Sequence, residues 1–266
     1  MKVFRNIADF KSYRQGLNNQ SVGFVATMGA LHAGHLSLIE LCKKQCAISV
    51  VSIFVNPTQF DNSDDLNRYP NVLEKDLKLL RDTGVGAVLV PDYASLYPDN
   101  YAFKLIENQL SKKYCGAHRT GHFDGVLTVV MKLLNIIAPN KAYFGEKDYQ
   151  QLTLIRQMVK AFFMPIEIVA GVTLREKDGL AMSSRNVNLS PEQRLIAAKL
   201  YQTLCSELSI EQMKAQLTAY GFKVDYLQTF KQRLMVAAYL GQIRLIDNVE
   251  RRINASQKKD VQEQSA

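Results

Sequence analysis

VGFVATMGALHAGHLSLI, residues 22–39, decides the fold of this chain. Val22 to Thr27 is a short apolar run with β-branched valines, bounded by Met28-Gly29, and it predicts a strand. Gly34 to Cys46 carries apolar residues at helical spacing. Strand, tight turn and helix therefore follow one another directly. His32, Gly34 and His35 form an H-x-G-H cluster in the turn, so two imidazoles and a residue without Cβ sit where a parallel strand passes to a helix. Ligands of open α/β sheets bind there, and free N–H groups at a helix start favour an anionic phosphate. Imidazoles that donate to phosphate oxygens would stabilise charge that builds up in nucleotidyl transfer. A histidine in a loop is commonly only a solvated polar residue; the strand–turn–helix context is what makes this one a candidate nucleotide site.

The 266 residues, 47% of them apolar, are enough for one large domain or two of ordinary size around a real core. No window of about 18 apolar residues appears, and residues 1–20 lack the apolar segment and cleavage site of a signal peptide, so a cytoplasmic protein without a membrane span is expected. Cys42 and Cys46 lie four apart on one predicted helix, as small core hydrophobes do, and with Cys115 and Cys205 they form no C-x-x-C pair, so no metal site is expected. The formal charge of +8 comes from 33 Lys and Arg against 25 Asp and Glu. These cations are spread along the chain, densest in the tail at Arg251, Arg252, Lys258 and Lys259, and no basic run is interleaved with aromatics. An enzyme of anionic substrates accounts for that balance, and no base-recognition element for RNA is visible.

A leading helix from Ile7 to about Leu17 precedes the central stretch. Ala47 to Val55, apolar on both faces, suits a buried parallel strand stopped by Pro57. Asn56 and Gln59 are left at its carboxyl end, either as turn-capping amides or as the wall of a substrate pocket. Residues 61–68 read as a loop, and Tyr69-Pro70 opens a helix over Leu73, Leu77 and Leu80. Asp64, Asp65 and Asp76 have the types of metal ligands, but acids near a helix start are commonly there for the dipole, and that account is preferred. Ala87 to Val90 is a third strand, with a further possible strand at Ala102 to Ile106. Arg119 stands in a glycine-rich loop before the helix Val126 to Ile137, where a guanidinium suits a carboxylate or phosphate as well as a plain surface.

Lys141 to Phe144 predicts a fourth strand, and Gly145, Lys147, Asp148 and Gln151 gather at its carboxyl end. Lys147 has the charge to neutralise phosphate, and Asp148 the acceptors for a ribose hydroxyl. Ile166 to Ala170 is the fifth strand. Beyond it Ser183-Ser184-Arg185 sits in an irregular loop of the kind that closes over a triphosphate. Ser190-Pro191 starts a helix expected to run to about Leu208. Three short apolar segments, 224–230, 234–240 and 243–246, then read as an antiparallel meander. The expected fold is α/β, a doubly wound five-stranded parallel Rossmann-like sheet over 1–174, with a small C-terminal α+β domain over 175–254 and a polar tail over 255–266.

TMGALHAGHLSLI, SIFVNPTQF, GHFDGVLTVV, FGEKDYQQL and DGLAMSSRN stand in that order, and together they closely resemble the pantoate–β-alanine ligases (pantothenate synthetases) from about residue 3 to 250. That family belongs to the nucleotidyltransferases that share an H-x-G-H turn and a mobile lid loop with class I aminoacyl-tRNA synthetases. The resemblance implies condensation of pantoate with β-alanine, driven by ATP through pantoyl adenylate, with release of AMP and pyrophosphate. It also implies magnesium on the triphosphate and a homodimer. Matched motif by motif, His32 and His35 face phosphate beside Met28, Lys147 binds phosphate, and Gly145 and Asp148 hold the ribose and adenosine. Gln59 and Gln151 hold pantoate, with Met28 alongside, and Ser183, Ser184 and Arg185 cover the triphosphate. Arg119 and Tyr69 lie near the β-alanine and pyrophosphate end, and Asn56 and Leu174 complete the implied contacts.

The chain departs from the family at two turn positions, Ala26 for the usual proline and Ala33 for glutamate, and its C-terminal part reads as abbreviated. Loss of the fixed φ at Ala26 is expected to weaken pantoate or β-alanine affinity. The alternative within the superfamily is an adenylyltransferase acting on another small metabolite, such as phosphopantetheine or nicotinamide mononucleotide. The neutral amides of Gln59 and Gln151 speak against a phosphorylated acceptor.

Overall fold

The structure, a computed structural model, describes residues 1–251. The polar tail expected over 255–266 lies outside the described residues. Two compact units are present, Met1–Leu174 with Met182–Ser184, and Arg175–Ala181 with the chain from Arg185 onward.

The first unit holds β1 (Lys2–Phe4), β2 (Val22–Thr27), β3 (Ile48–Ile53), β4 (Ala87–Leu89), β5 (Lys141–Gly145) and β6 (Glu167–Gly171). They form one parallel sheet in the order β1-β4-β3-β2-β5-β6. Helices α1 (Ile7–Gln15) and α2 (Ala33–Gln45) precede a one-turn α3 (Ser63–Asn67) and α4 (Leu73–Thr83). The single turns α5 (Tyr93–Leu96) and α6 (Cys115–His118) lead to α7 (His122–Ile137) and α8 (Tyr149–Ala161). Val88, Val51, Val25 and Tyr143 stand in register across four adjacent strands. α2 covers that row with Leu38, Ile39 and Cys42, and α4 with Leu77 and Leu80. The alternate residues Phe24, Val50, Ala87 and Ala142 are equally buried on the other face, where α7 packs on β2. Burial on both faces is why these strands read as continuous apolar runs. Cys42 and Cys46 are core residues as expected, and burial pushes the Cys42 thiol up to about 12.

The sheet has six strands where five were expected. The additional β1 is a three-residue edge strand beside β4 with Lys2 exposed, too short to display an alternation. No strand forms over 102–106; the backbone there bonds to side chains, Phe103 N–H to Asp99 and Leu105 N–H to Thr128. The loop expected over 61–68 contains α3, whose first turn Asn62 caps, and the next helix starts at Leu73 rather than beside Pro70. Ala26 takes a regular place in β2 opposite Ser52.

The second unit contains α9 (Pro191–Ala197), α10 (Lys199–Leu204) and α11 (Ile210–Ala219), then the antiparallel meander β7 (Phe222–Phe230), β8 (Arg233–Leu240) and β9 (Ile243–Glu250). Ser190 caps α9 as expected, but the single helix expected to Leu208 is broken at Ala198 and ends at Leu204. Leu200, Leu204, Met213, Leu217, Leu234 and Val236 form its core. Arg175 grips the buried Asp247 carboxylate with two nitrogens, at 2.6 and 2.9 Å. Among the described residues no helix is long and apolar enough to cross a membrane.

Candidate active site

From β2 the chain runs through β3 to β4 on one side, then returns to place β5 and β6 on the other. The strand order therefore reverses between β2 and β5, which opens a crevice at their carboxyl ends. The two segments that leave those ends are Met28–His35 and Gly145–Gln151, the two richest clusters of chemistry in the sequence.

His32 is the N-cap of α2, and its Nδ1 accepts the Gly34 N–H at 3.1 Å. His35 Nδ1 accepts the His32 N–H at 3.3 Å, which completes a capping box made of imidazoles. A Cβ on Gly34 would lie 2.9 Å from His32 Cε1, so only glycine lets that ring fold back over the helix start. The rings stand 4.1 Å apart. Because each Nδ1 is an acceptor, the proton of each neutral ring is on Nε2. Burial, with the Lys147 charge adding to it against Asp148, pushes His32 down to about 4. Burial, then His32 and Lys147, pushes His35 down to about 3. At neutral pH the pair is a set of uncharged Nε2–H donors. The backbone N–H groups of His32 and Gly34, which the sequence reading left open to phosphate, are taken by the rings themselves.

The Lys147 charge disfavours protonation of both histidines, so the β5 segment stands close to the same crevice. Residues Glu146–Asp148 form a single turn, and Gln151 lies half-buried in the first turn of α8. A Cβ on Gly145 would meet nothing within 4 Å, so space is open beside its backbone. Neighbouring Gln150 is structural, with its buried amide bonded to Cys115, Leu110 and Lys113.

After β3, Gln59 Nε2 lies 3.0 Å from Met28 Sδ, while its Oε1 accepts from Asn56 Nδ2 at 3.1 Å. Asn56 is 1% exposed and also donates to the Gly125 carbonyl, and its Oδ1 accepts from Thr58 and from Tyr97. It neither caps the turn nor lines an open wall: it orients Gln59. Burial pushes the Tyr97 hydroxyl up to about 12 and keeps it a donor. Arg119 bonds Asp61 at 2.9 Å, His122 Nε2 at 3.1 Å and the Gln59 carbonyl at 3.3 Å. Since arginine only donates, His122 Nε2 accepts, and its Nδ1–H donates to that same carbonyl at 2.7 Å. Tyr69 packs edge-on to Phe60, the residue after Gln59.

Leu174 follows β6 and accepts the Met182 N–H with its carbonyl. Ser184 is buried and donates to the Ala30 carbonyl at 3.0 Å, inside the H-x-G-H turn. Ser183 is half-buried next to it, and Arg185 belongs to the second unit. Three residues of this region escaped the sequence reading: His122 and Tyr97, which act on Gln59 and Asn56, and Asp76. Asp76 does lie in the first turn of α4, as the helix-dipole reading has it, and its carboxylate is also buried against the turn after β2. The described residues bring together no group of three or more His, Cys, Asp or Glu that could hold a metal.

The sequence profile of the pantoate-β-alanine ligases matches residues 2–250. A pantothenate synthetase of Bdellovibrio bacteriovorus is 50% identical over 249 residues, covering 94% of this chain and 99% of that one. One from Legionella pneumophila is 47% identical over 249 residues, 93% of this chain and 99% of its own. The C-terminal part is thus not abbreviated against these relatives. Among solved structures, a pantoate-β-alanine ligase of Francisella tularensis, complexed with β-γ ATP and β-alanine, superposes with a TM-score of 0.91 at 42% identity, over 94% of this chain and 97% of that one. A pantothenate synthetase of Thermus thermophilus gives 0.86 at 39% identity, over 94% and 99%. With a match that runs through both units and carries all five motifs, the chain belongs to the pantoate-β-alanine ligase family and is a ligase.

Proposed function

We propose that the chain joins pantoate to β-alanine in two steps, by way of pantoyl adenylate. The observation that carries this reading is the meeting of two neutral Nε2–H donors with the Lys147 charge at the switch point of the sheet. In the first step a pantoate carboxylate oxygen bonds to the α-phosphorus of ATP, and pyrophosphate leaves with the electron pair of the broken P–O bond. The carboxylate is already a nucleophile, so the site needs positioning and charge stabilisation rather than a general base. His32, His35 and Lys147 supply the stabilisation. Gln59 and Gln151 hold pantoate beside Met28, and a neutral amide left unpaired by a wrong acid is the source of selectivity.

In the second step the β-alanine amine bonds to the acyl carbon, AMP leaves, and the amine's proton passes to solvent. Gly145 and Asp148 hold the ribose and adenosine, and Leu174 completes the site contacts. Ser183, Ser184 and Arg185 serve the triphosphate, and Asn56, Tyr69 and Arg119 act through the Gln59 turn. Magnesium would arrive with the triphosphate as part of the substrate and need no dedicated protein cage. The Francisella complex, with its nucleotide and β-alanine, supports the two co-substrates here. The same reading includes a cytoplasmic homodimer, which sedimentation of the purified chain tests for its subunit count.

The test is pyrophosphate release from MgATP with pantoate alone, followed by addition of β-alanine. Pantoate-dependent release, with AMP and pantothenate formed on adding β-alanine, is expected. Absence of release from folded, ATP-binding protein overturns it, and release on a different acceptor would select the adenylyltransferase alternative.

A further inference from the structure

Asp76, on α4, is 2% exposed and aims both carboxylate oxygens at one turn. Oδ2 accepts the Ala30 N–H at 2.7 Å and Oδ1 the Leu31 N–H at 2.9 Å. That turn is conformationally expensive, because Gly29 at φ +81° is followed by a second left-handed residue, Ala30 at φ +51°, which has a Cβ. Successive N–H groups in such a backbone converge on an anion. Here the anion is the protein's own.

The rest of the turn is held as tightly. Thr27 Oγ1 accepts the Gly29 N–H and donates to the Ser52 carbonyl, and Ser184 donates to the Ala30 carbonyl. A Cβ on Gly29 would come within 3.0 Å of Asp76 Oδ2, so the carboxylate is seated against the turn's backbone. His32 is the next residue but one after Ala30, and its N–H is what His35 Nδ1 accepts. The path of residues 30–32 therefore fixes where both Nε2–H groups stand. Asp76 stands in the first turn of α4, where a carboxylate suits the helix dipole, and both of its oxygens are in addition bonded to N–H groups of this turn.

We propose that Asp76 is a positioning residue, which holds Ala30 and Leu31 so that His32 and His35 face the reacting phosphate with the Nε2 tautomer and spacing seen here. It rests on the proposed function for its catalytic consequence, and on the turn geometry alone for its effect on the imidazoles. Asp76→Asn tests both, since an amide keeps the shape but turns a donor toward one of the two N–H groups. The chain has four histidines, so their side-chain nitrogen resonances are separable by NMR.

Expected for the folded variant are a kcat for pantoate-dependent pyrophosphate release lower by about 100-fold, a pantoate KM within about threefold of wild type, and loss of the fixed Nε2–H pattern at His32 and His35. Wild-type kcat with unchanged imidazole resonances overturns the proposal. So does a loss in pantoate KM alone, which would place the disturbance at Gln59. If the wild-type chain shows no pantoate-dependent release but Asp76→Asn still alters the imidazole resonances, the functional reading fails and the positioning role stands. Should Asp76→Asn not fold, Asp76→Glu keeps both acceptors and lengthens their reach by one methylene. A kcat lower by about tenfold or more is then expected, because a shift of the turn is a shift of the rings, and wild-type kcat in that variant refutes the role.

Discussion

Gly125→Ala probes the contact beneath the turn of Gln59, the residue proposed to hold pantoate. A Cβ at this position of α7 would lie 2.2 Å from the Thr58 carbonyl oxygen, 2.5 Å from its carbon and 2.7 Å from the Gln59 nitrogen, all backbone atoms. Ordinary contact begins near 3.4 Å, so helix and turn must part by about 1 Å. The turn has no free direction in which to move. Asn56 ties it to the Gly125 carbonyl at 3.2 Å, and His122, in the first turn of α7, holds the Gln59 carbonyl at 2.7 Å. Overpacking of this kind costs about 1–3 kcal/mol, which lowers the melting temperature by roughly 2–12 °C for a chain of this size. A displacement of about 1 Å at Gln59 is expected to reduce kcat/KM for pantoate by about 100-fold. ATP affinity, which the proposed function places on the β2 and β5 segments, should stay within a few-fold of wild type. Circular dichroism melts, calorimetric titration with ATP and pyrophosphate release at graded pantoate make the three measurements. Wild-type kcat/KM in a variant that melts several degrees early would refute the reasoning, because the turn would then have moved without consequence for the substrate.

Lys147→Ala or His35→Ala should slow pyrophosphate release by about two to three orders of magnitude, as loss of a charge-stabilising donor does, and full rates in both folded variants would remove them from the site. Acid should destabilise the fold in a window set by the histidines: the unfolded imidazoles protonate below about 6.5, while the folded ones wait until about 4 and about 3. The unfolded chain therefore binds protons that the native chain does not. Stability is complete above pH 6.5 and falls as pH drops, with His35 alone contributing up to about 2 kcal/mol of loss between pH 6.5 and 5. Urea midpoints from pH 7.5 to 4.5 should fall less steeply in His35→Asn, and equal slopes would contradict the assignment. Arg175→Ala removes the guanidinium from the Asp247 carboxylate, which is 3% exposed and keeps the Asn248 N–H, and should cost about 3 kcal/mol in urea melts, whereas a loss below about 1 kcal/mol would mean that the pair is solvated.

The sheet was legible because its central strands are buried on both faces, so Val22–Thr27 and Ile48–Ile53 announce themselves as apolar runs closed by glycine or proline. Edge and break features were not. β1 spans three residues and owes its pairing to β4, more than eighty residues away, which no local pattern reports. Phe103 and Leu105 have the look of a strand, yet their N–H groups are satisfied by Asp99 and Thr128, and side-chain acceptors of that kind compete with a ladder. The break at Ala198 falls within residues of good helix propensity, so it too had no local sign.

The same division runs through the site. The residues proposed to carry the chemistry with their own atoms, His32, His35, Lys147 and Gln59, lie in the segments that follow strands and are found by asking what stands at a strand's carboxyl end. Asp76 and His122 on helices, and Tyr97 just after one, are remote in sequence from what they hold, and two of the three bond backbone atoms of the turns after β2 and β3, so neither spacing nor residue type marks them. Asp76 looked like an ordinary helix-start acid because the feature that distinguishes it, the left-handed Ala30, is conformational rather than compositional. The proposed reaction, which needs no general base, places its demand on such residues. When the nucleophile arrives charged and the donors are neutral imidazoles, rate depends on where those donors stand, and that is set by groups which never touch the substrate. Substitutions at Asp76 or Gly125 should for this reason rival substitutions at the histidines in their effect on turnover, although neither residue has an atom in the reaction.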